Sequence, residues 1–136
     1  MAYPIQQAVI DFHKKFGHPV RDTPQVLGRE ETELAFGFIE EELYELLDAT
    51  GLEALCGDVR CCGTDQTGDT NLIEVADALG DIVFTAYGMA VRHGIDLDRV
   101  LAAIVESNMT KEANGLGKIR KGADYKAPDI AGALAV

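Results

Sequence analysis

Apolar residues recur at helical spacing in four stretches of this chain, with polar punctuation between them. Ile5, Ala8, Val9, Phe12 and Phe16 predict a short helix over 5–16, which Gly17 stops in the C′ position. Two prolines in H-P-V-R-D-T-P then force extended backbone, and Pro24 or the residues just after it open the next helix. That second helix spans roughly Glu30 to Ala49, with Ala35, Phe36, Ile39, Leu43, Leu46 and Leu47 on one wide apolar arc. A third runs from about Leu72 to Arg92, ended by Gly94. A fourth starts at Asp96 or Asp98 as N-cap and continues through Val100, Leu101, Ile104 and Val105 to about Glu112, where Asn114-Gly115 ends it. Between the second and third helices, Leu52 to Thr70 is rich in Gly, Thr and Asp and reads as a loop, with room for one helical turn at Leu52–Leu55. The tail from Gly115 is basic, Gly-punctuated and extended rather than helical. No strand pattern and no internal repeat is visible. The prediction is an all-α, four-helix bundle-like single domain over 1–136: an N-terminal helix and loop (1–28), the central helices (29–113) and an extended tail (114–136).

Leu72, Val75, Leu79, Ile82, Val83 and Ala86 cover most of the third helix, leaving only a narrow acidic stripe of Glu74, Asp77 and Asp81. A helix apolar over most of its girth belongs in the middle of a bundle, with its stripe largely enclosed. One small bundle is hard pressed to cover it, so assembly with other copies is expected. On the second helix Glu41, Glu42 and Glu45 form E-E-x-x-E. Like charges one turn apart repel by a few tenths of a kcal/mol, and an unpaired carboxylate within an apolar helix is costly. No Lys or Arg lies three or four residues from Asp77 or Asp81. Two acidic stripes that lack basic neighbours ask for a cation.

The donors on offer decide which cation. Carboxylate oxygens suit Mg²⁺, with Mn²⁺ as a substitute. A di-iron bundle wants Glu-x-x-His, and His13, His18 and His93 have no Glu three residues before them. Cys56, Cys61 and Cys62 offer thiols, but adjacent cysteines make an awkward pair of zinc ligands. Each acid also has a bland reading as a solvated face, and Asn71-x-x-Glu74 is a capping box in which Glu74 merely bonds back to the helix start.

Composition narrows the partners. Twelve basic against twenty-three acidic residues give a net charge of −11, which argues against nucleic acid or an anionic membrane as partner. A phosphorylated substrate stays open, because divalent ions invert the local field. No apolar run of about twenty residues is present, and M-A-Y-P-I-Q-Q lacks the features of a signal peptide. A cytoplasmic protein with reduced cysteines is expected. A magnesium cluster on helices suits phosphoanhydride hydrolysis, which needs neutralised phosphates and an oriented water. Asn108 and Lys111, one turn apart on the fourth helix, form a face that can hold phosphate oxygens. Lys111 is read equally well as a cation complementing the helix C-terminus. Lys118, Arg120, Lys121 and Lys126 of the tail can also meet an anion.

These motifs, in this order, resemble those of the MazG-like all-α nucleotide pyrophosphohydrolases. Besides the two acidic motifs, D-F-H-K-K-F-G-H-P-V, V-A-D-A-L-G-D-I-V-F-T-A-Y-G, G-I-D-L-D, S-N-M-T-K and K-A-P-D-I are similar to a branch labelled phosphoribosyl-ATP pyrophosphohydrolase-like. The resemblance implies Mg²⁺-dependent cleavage of a nucleoside triphosphate to the monophosphate and pyrophosphate, in helical homodimers or homotetramers. It implies Glu42, Glu45, Glu74 and Asp77 as metal ligands; Asp81, on the same acidic stripe, is expected as a further ligand or outer support. It implies Glu41 as the residue that orients the attacking water or binds a further ion, and Asn108 and Lys111 as phosphate contacts; from the basic tail, Lys118 and Lys121 are expected as additional substrate contacts. The rival expectations are a phosphoribosyl-ATP pyrophosphohydrolase and a non-catalytic module that binds metal or nucleotide. The segment A-F-G-F before the acidic cluster lacks the basic residue expected there, and the cysteine loop is peculiar to this sequence, so base preference stays open.

Overall fold

The computed structural model describes Pro4–Ala54 and Gly63–Ala135. Its described elements are α1 (Ile5–Phe16), α2 (Arg29–Ala49), β1 (Leu52–Ala54), β2 (Thr64–Gln66), α3 (Leu72–His93), α4 (Leu97–Asn108), β3 (Glu112–Ala113), β4 (Ile119–Arg120) and α5 (Ile130–Leu134). The cysteines fall outside the described residues. The chain forms two compact units, one of Val26–Met89 and the other of the N-terminal segment through Gln25 with the chain from Ala90 onward.

Local chemistry sets most helix ends. Gly17 takes the left-handed conformation (φ 70°) and its N–H closes onto the last turn of α1. The Asp96 carboxylate accepts the Arg99 N–H at 3.2 Å and starts α4. Pro24 does not open α2, which begins five residues later: Gly28 stands at the N-cap without a side-chain cap, and Glu30 and Glu31 complement the positive end of the helix.

Three expectations are corrected. The 52–70 segment is not all loop, because Leu52, Glu53 and Ala54 pair antiparallel with Gln66, Asp65 and Thr64; Leu52–Ala54 is strand, not the helical turn for which the sequence left room. Gly51 makes the tight entry possible at φ 70°, with the Gly68 carbonyl packed where any side chain would sit. The tail is not merely extended. It forms the hairpin β3–β4, pairing Glu112 with Arg120 and Ala113 with Ile119, and then the one-turn helix α5 capped by Asp129. Finally, α4 ends at Asn108, four residues early. The Thr110 hydroxyl donates to the Ser107 carbonyl at 2.8 Å and accepts the Lys126 N–H at 2.8 Å, which turns the chain out of the helix.

Burial in the N-terminal unit centres on Val9, His13, Val91 and Arg92. The Arg92 guanidinium donates to Nδ1 of His18 at 2.8 Å, and Arg21 donates to the Arg92 carbonyl at 2.6 Å. In the other unit Ala35, Ala49, Ala78 and Tyr87 are buried. The enclosure expected for α3 is not supplied by the described residues along its first three turns: Leu72 and Ile73 are 76% and 83% exposed, and Leu79 and Val83 about half. On α2, Leu34, Phe36, Leu43 and Tyr44 are exposed in the same way. No described helix is long and apolar enough to cross a membrane.

Candidate functional site

The predicted acids lie on α2 and α3 within one unit, and two contacts fix how those helices run. The Asn71 N–H donates to the Ala49 carbonyl at 2.9 Å, joining the end of α2 to the start of α3. Further along, Glu42 of α2 feels the charge of Asp81 of α3. The helices are therefore antiparallel. Glu45 stands three residues beyond Glu42, and Asp77 four before Asp81. Both are therefore displaced toward the same end of the helix pair, with Glu74 further the same way.

Glu42 is the focus of the cluster. Its side chain is half-buried, and its Oε2 is shielded from solvent with no hydrogen-bond partner. Burial pushes its carboxyl above the ordinary carboxylate range, and the charges of Glu45, Asp81 and Glu41 push it further the same way. A hydrogen bond to Glu45 forms only when the pair shares a proton, which is a further upward cause. Ionised, the two carboxylates have no donor between them. Glu41, Glu45, Glu74, Asp77 and Asp81 are exposed.

The capping-box reading of Glu74 accounts for half of that motif. The Asn71 side chain accepts the Ile73 N–H at 3.1 Å and the Glu74 N–H at 3.4 Å, so Asn71 is the cap. The Asn71 N–H, which the Glu74 carboxylate would otherwise accept, is already given to Ala49. The Glu74 carboxylate is thus not needed at the helix start.

Charge makes the demand for a cation concrete. The Val26–Met89 segment carries fifteen of the twenty-three acidic residues and two of the twelve basic ones, Arg29 and Arg60. Arg29 is committed to Glu33 in an exposed ion pair at 2.7 Å, and Arg60 lies outside the described residues. Among the described residues no three His, Cys, Asp or Glu side chains converge on one point in ligating geometry. Glu41, Glu45 and Asp81 stand near Glu42 without forming a finished cage. The donor set still fits a hard divalent cation: an orphaned, shielded carboxylate oxygen surrounded by three further carboxylates is the environment such an ion relieves.

The expected phosphate contacts belong to the other unit. Asn108 is the last residue of α4. Lys111 is not on that helix, because the Ser107–Thr110 turn has already redirected the chain, so the shared helical face is corrected to a turn in which the Lys111 N–H donates to the Asn108 carbonyl at 3.1 Å. Lys118 lies in the β3–β4 turn, where its N–H reaches the Asn114 side chain at 3.3 Å. The Lys121 ammonium sits 4.8 Å from the centre of the Tyr125 ring. Sequence reasoning gave Asp81 only a supporting place; its separation of four residues from Asp77 was the available signal. It passed over Tyr125, because an isolated Tyr in a Gly-punctuated tail has no periodicity to mark it.

A mostly helical chain with acidic motifs on two antiparallel helices is an architecture of the MazG-like all-α pyrophosphohydrolase superfamily. More narrowly, residues 9–108 match the family described as phosphoribosyl-ATP pyrophosphohydrolase, and the chain belongs to that family, whose members cleave phosphoanhydrides. It is also similar to an uncharacterized protein of Acanthamoeba polyphaga mimivirus, with 34% identity over 101 residues. The match takes in 68% of this chain and 32% of the viral protein, so this chain spans only about a third of that relative's length.

Proposed function

We propose that this chain is a Mg²⁺-dependent pyrophosphohydrolase that cleaves a nucleoside triphosphate to the monophosphate and pyrophosphate. The observation that carries the reading is the shielded, unpartnered Oε2 of Glu42 among Glu41, Glu45 and Asp81. Such a group is tolerable as a carboxylate when a cation meets it. In this reading Glu42, Glu45, Glu74 and Asp77 hold Mg²⁺ and Asp81 supports them or takes a second ion. When bound, the ion neutralises phosphate charge and offers a water of lowered pKa. Glu41, beside the cluster and exposed, orients the attacking water and accepts its proton. Asn108 and Lys111 contact the phosphates, and Lys118 and Lys121 are further substrate contacts. Copies of the chain associate through the apolar faces that α2 and α3 leave exposed.

The test is pyrophosphate release over a panel of ribo- and deoxynucleoside triphosphates and phosphoribosyl-ATP, each with Mg²⁺ and with Mn²⁺. Release from a nucleoside triphosphate that is lost in Glu45→Gln supports the proposal. Release from phosphoribosyl-ATP alone would replace it with the activity in the family's name. Metal binding with no release from any substrate would favour a non-catalytic binding module.

A further inference from the structure

Asn114-Gly115, expected to end the fourth helix, stands instead at the tip of the β3–β4 hairpin, because α4 stops at Asn108. Residues from Glu112 to Arg120 are all exposed. The Asn114 N–H donates to the Lys118 carbonyl at 3.0 Å, just beyond the paired Ala113 and Ile119. The chain reverses through Gly115 at φ 77° and Gly117 at φ 73°.

Backbone groups hold the Asn114 side chain. Its Oδ1 accepts the Leu116 N–H at 3.0 Å and the Lys118 N–H at 3.3 Å. Two N–H donors on one carbonyl oxygen are the arrangement that stabilises charge on that oxygen when its carbon is attacked. The ring closed by the Asn114–Leu116 hydrogen bond runs through both the Asn114 Cγ and the Gly115 nitrogen, so an electrophile and a nucleophile are held together in one small loop. Gly115 has no side chain to crowd that approach, and nothing lies within 4 Å of where a Cβ would stand.

Asn71 isolates what the glycine adds. Its side chain also accepts two backbone N–H groups, from Ile73 at 3.1 Å and Glu74 at 3.4 Å. Its successor, however, is Leu72, the first residue of α3, where a branched side chain and a helical backbone fix the following nitrogen. The remaining asparagine, Asn108, is followed by Met109.

We propose that Asn114 is a self-modifying site, at which the folded hairpin promotes loss of its own side-chain amide. Hydroxide removes the Gly115 N–H proton, and the nitrogen's electron pair attacks Cγ to form a C–N bond. The tetrahedral oxyanion on Oδ1 rests under the Leu116 and Lys118 N–H groups. It collapses as the Cγ–Nδ2 bond breaks, and Nδ2 takes a proton from water and leaves as ammonia. Water then opens the resulting succinimide. Addition at Cγ gives aspartate, and addition at the main-chain carbonyl gives isoaspartate. Either product adds one carboxylate to the tip, and isoaspartate also lengthens the backbone by one carbon in the turn that carries Lys118. The net change is amide and water to carboxylic acid and ammonia.

The full chain is incubated at slightly alkaline pH, natively and in guanidinium chloride, and peptides holding Asn114, Asn71 and Asn108 are followed by mass spectrometry, with isoaspartate resolved by chromatography. Loss at Asn114 should be about tenfold faster in the native chain than in the denatured one, because only the fold places both donors on Oδ1. Asn71 and Asn108 should keep their amides. Gly115→Ala, tested in denaturant where the turn imposes no φ, should slow the loss several-fold by crowding the nitrogen. Loss no faster in the native chain than in denaturant would overturn the proposal, as would native loss at Asn71 at the Asn114 rate. Undiminished loss in Gly115→Ala would mean direct hydrolysis of the amide and would overturn it too.

Discussion

Replacing Glu42 with Gln should make the metal-free protein more stable and the magnesium-loaded protein less so. As a carboxylate, Glu42 has a shielded oxygen without a donor and feels the charges of Glu45, Asp81 and Glu41. Glutamine removes the charge, relieving repulsions of a few tenths of a kcal/mol each, and its amide can donate to Glu45, a net gain of about 0.5–1.5 kcal/mol. Together these give about 1 kcal/mol, or roughly 4 °C in melting temperature for a chain of this size. Magnesium reverses the order. An ion at a hundred times its Kd stabilises the wild type by about 2.7 kcal/mol, and the variant, short of a ligand, gains much less. The assay is thermal unfolding of both proteins in chelator and across a magnesium titration. The pH dependence adds a second check. The raised carboxyl binds more protons in the native state, so without metal, stability falls as pH rises above 4.5 through the folded-state pKa. That fall should disappear in Glu42→Gln. Equal magnesium shifts for the two proteins would refute the reasoning.

Three further outcomes are expected. His13 is buried, and burial chiefly, with Arg92 and His18, holds its pKa below the ordinary 6.5 although the Pro19 carbonyl opposes this. The unfolded chain therefore takes up the proton first, and stability should drop as pH falls below 6.5 toward the folded-state pKa, with a shallower slope in His13→Gln by equilibrium denaturation. Gly94→Ala should cost more than about 1 kcal/mol in urea unfolding, because φ is 72° there and the Thr23 backbone lies where the methyl group would go. Leu79→Lys combined with Val83→Glu should lower the sedimenting mass if copies associate through α3, since these half-exposed side chains lie on its uncovered face; unchanged mass would argue against that face.

How much of this was legible depends on how local the cause is. The four long helices could be read from apolar spacing, and their ends from Gly17, Gly94 and Asp96, because a cap acts within a turn of its own backbone. The acidic motifs could be read as well, since residues three and four apart share a helical face whatever else the chain does. The early end of α4 could not. It depends on Lys126, sixteen residues on, donating to Thr110. The hairpins escaped notice because strands of two or three residues leave no alternation to detect.

Sequence by itself therefore determined that carboxylates would line α2 and α3 with few cations near them in the chain, because composition and helical period need no third dimension. Only the tertiary structure decided that Glu42 would be the shielded member and Asp81 its neighbour, and that Tyr125 would lie among lysines. Each of those depends on which distant segments pack together, and no spacing rule along a chain carries that information.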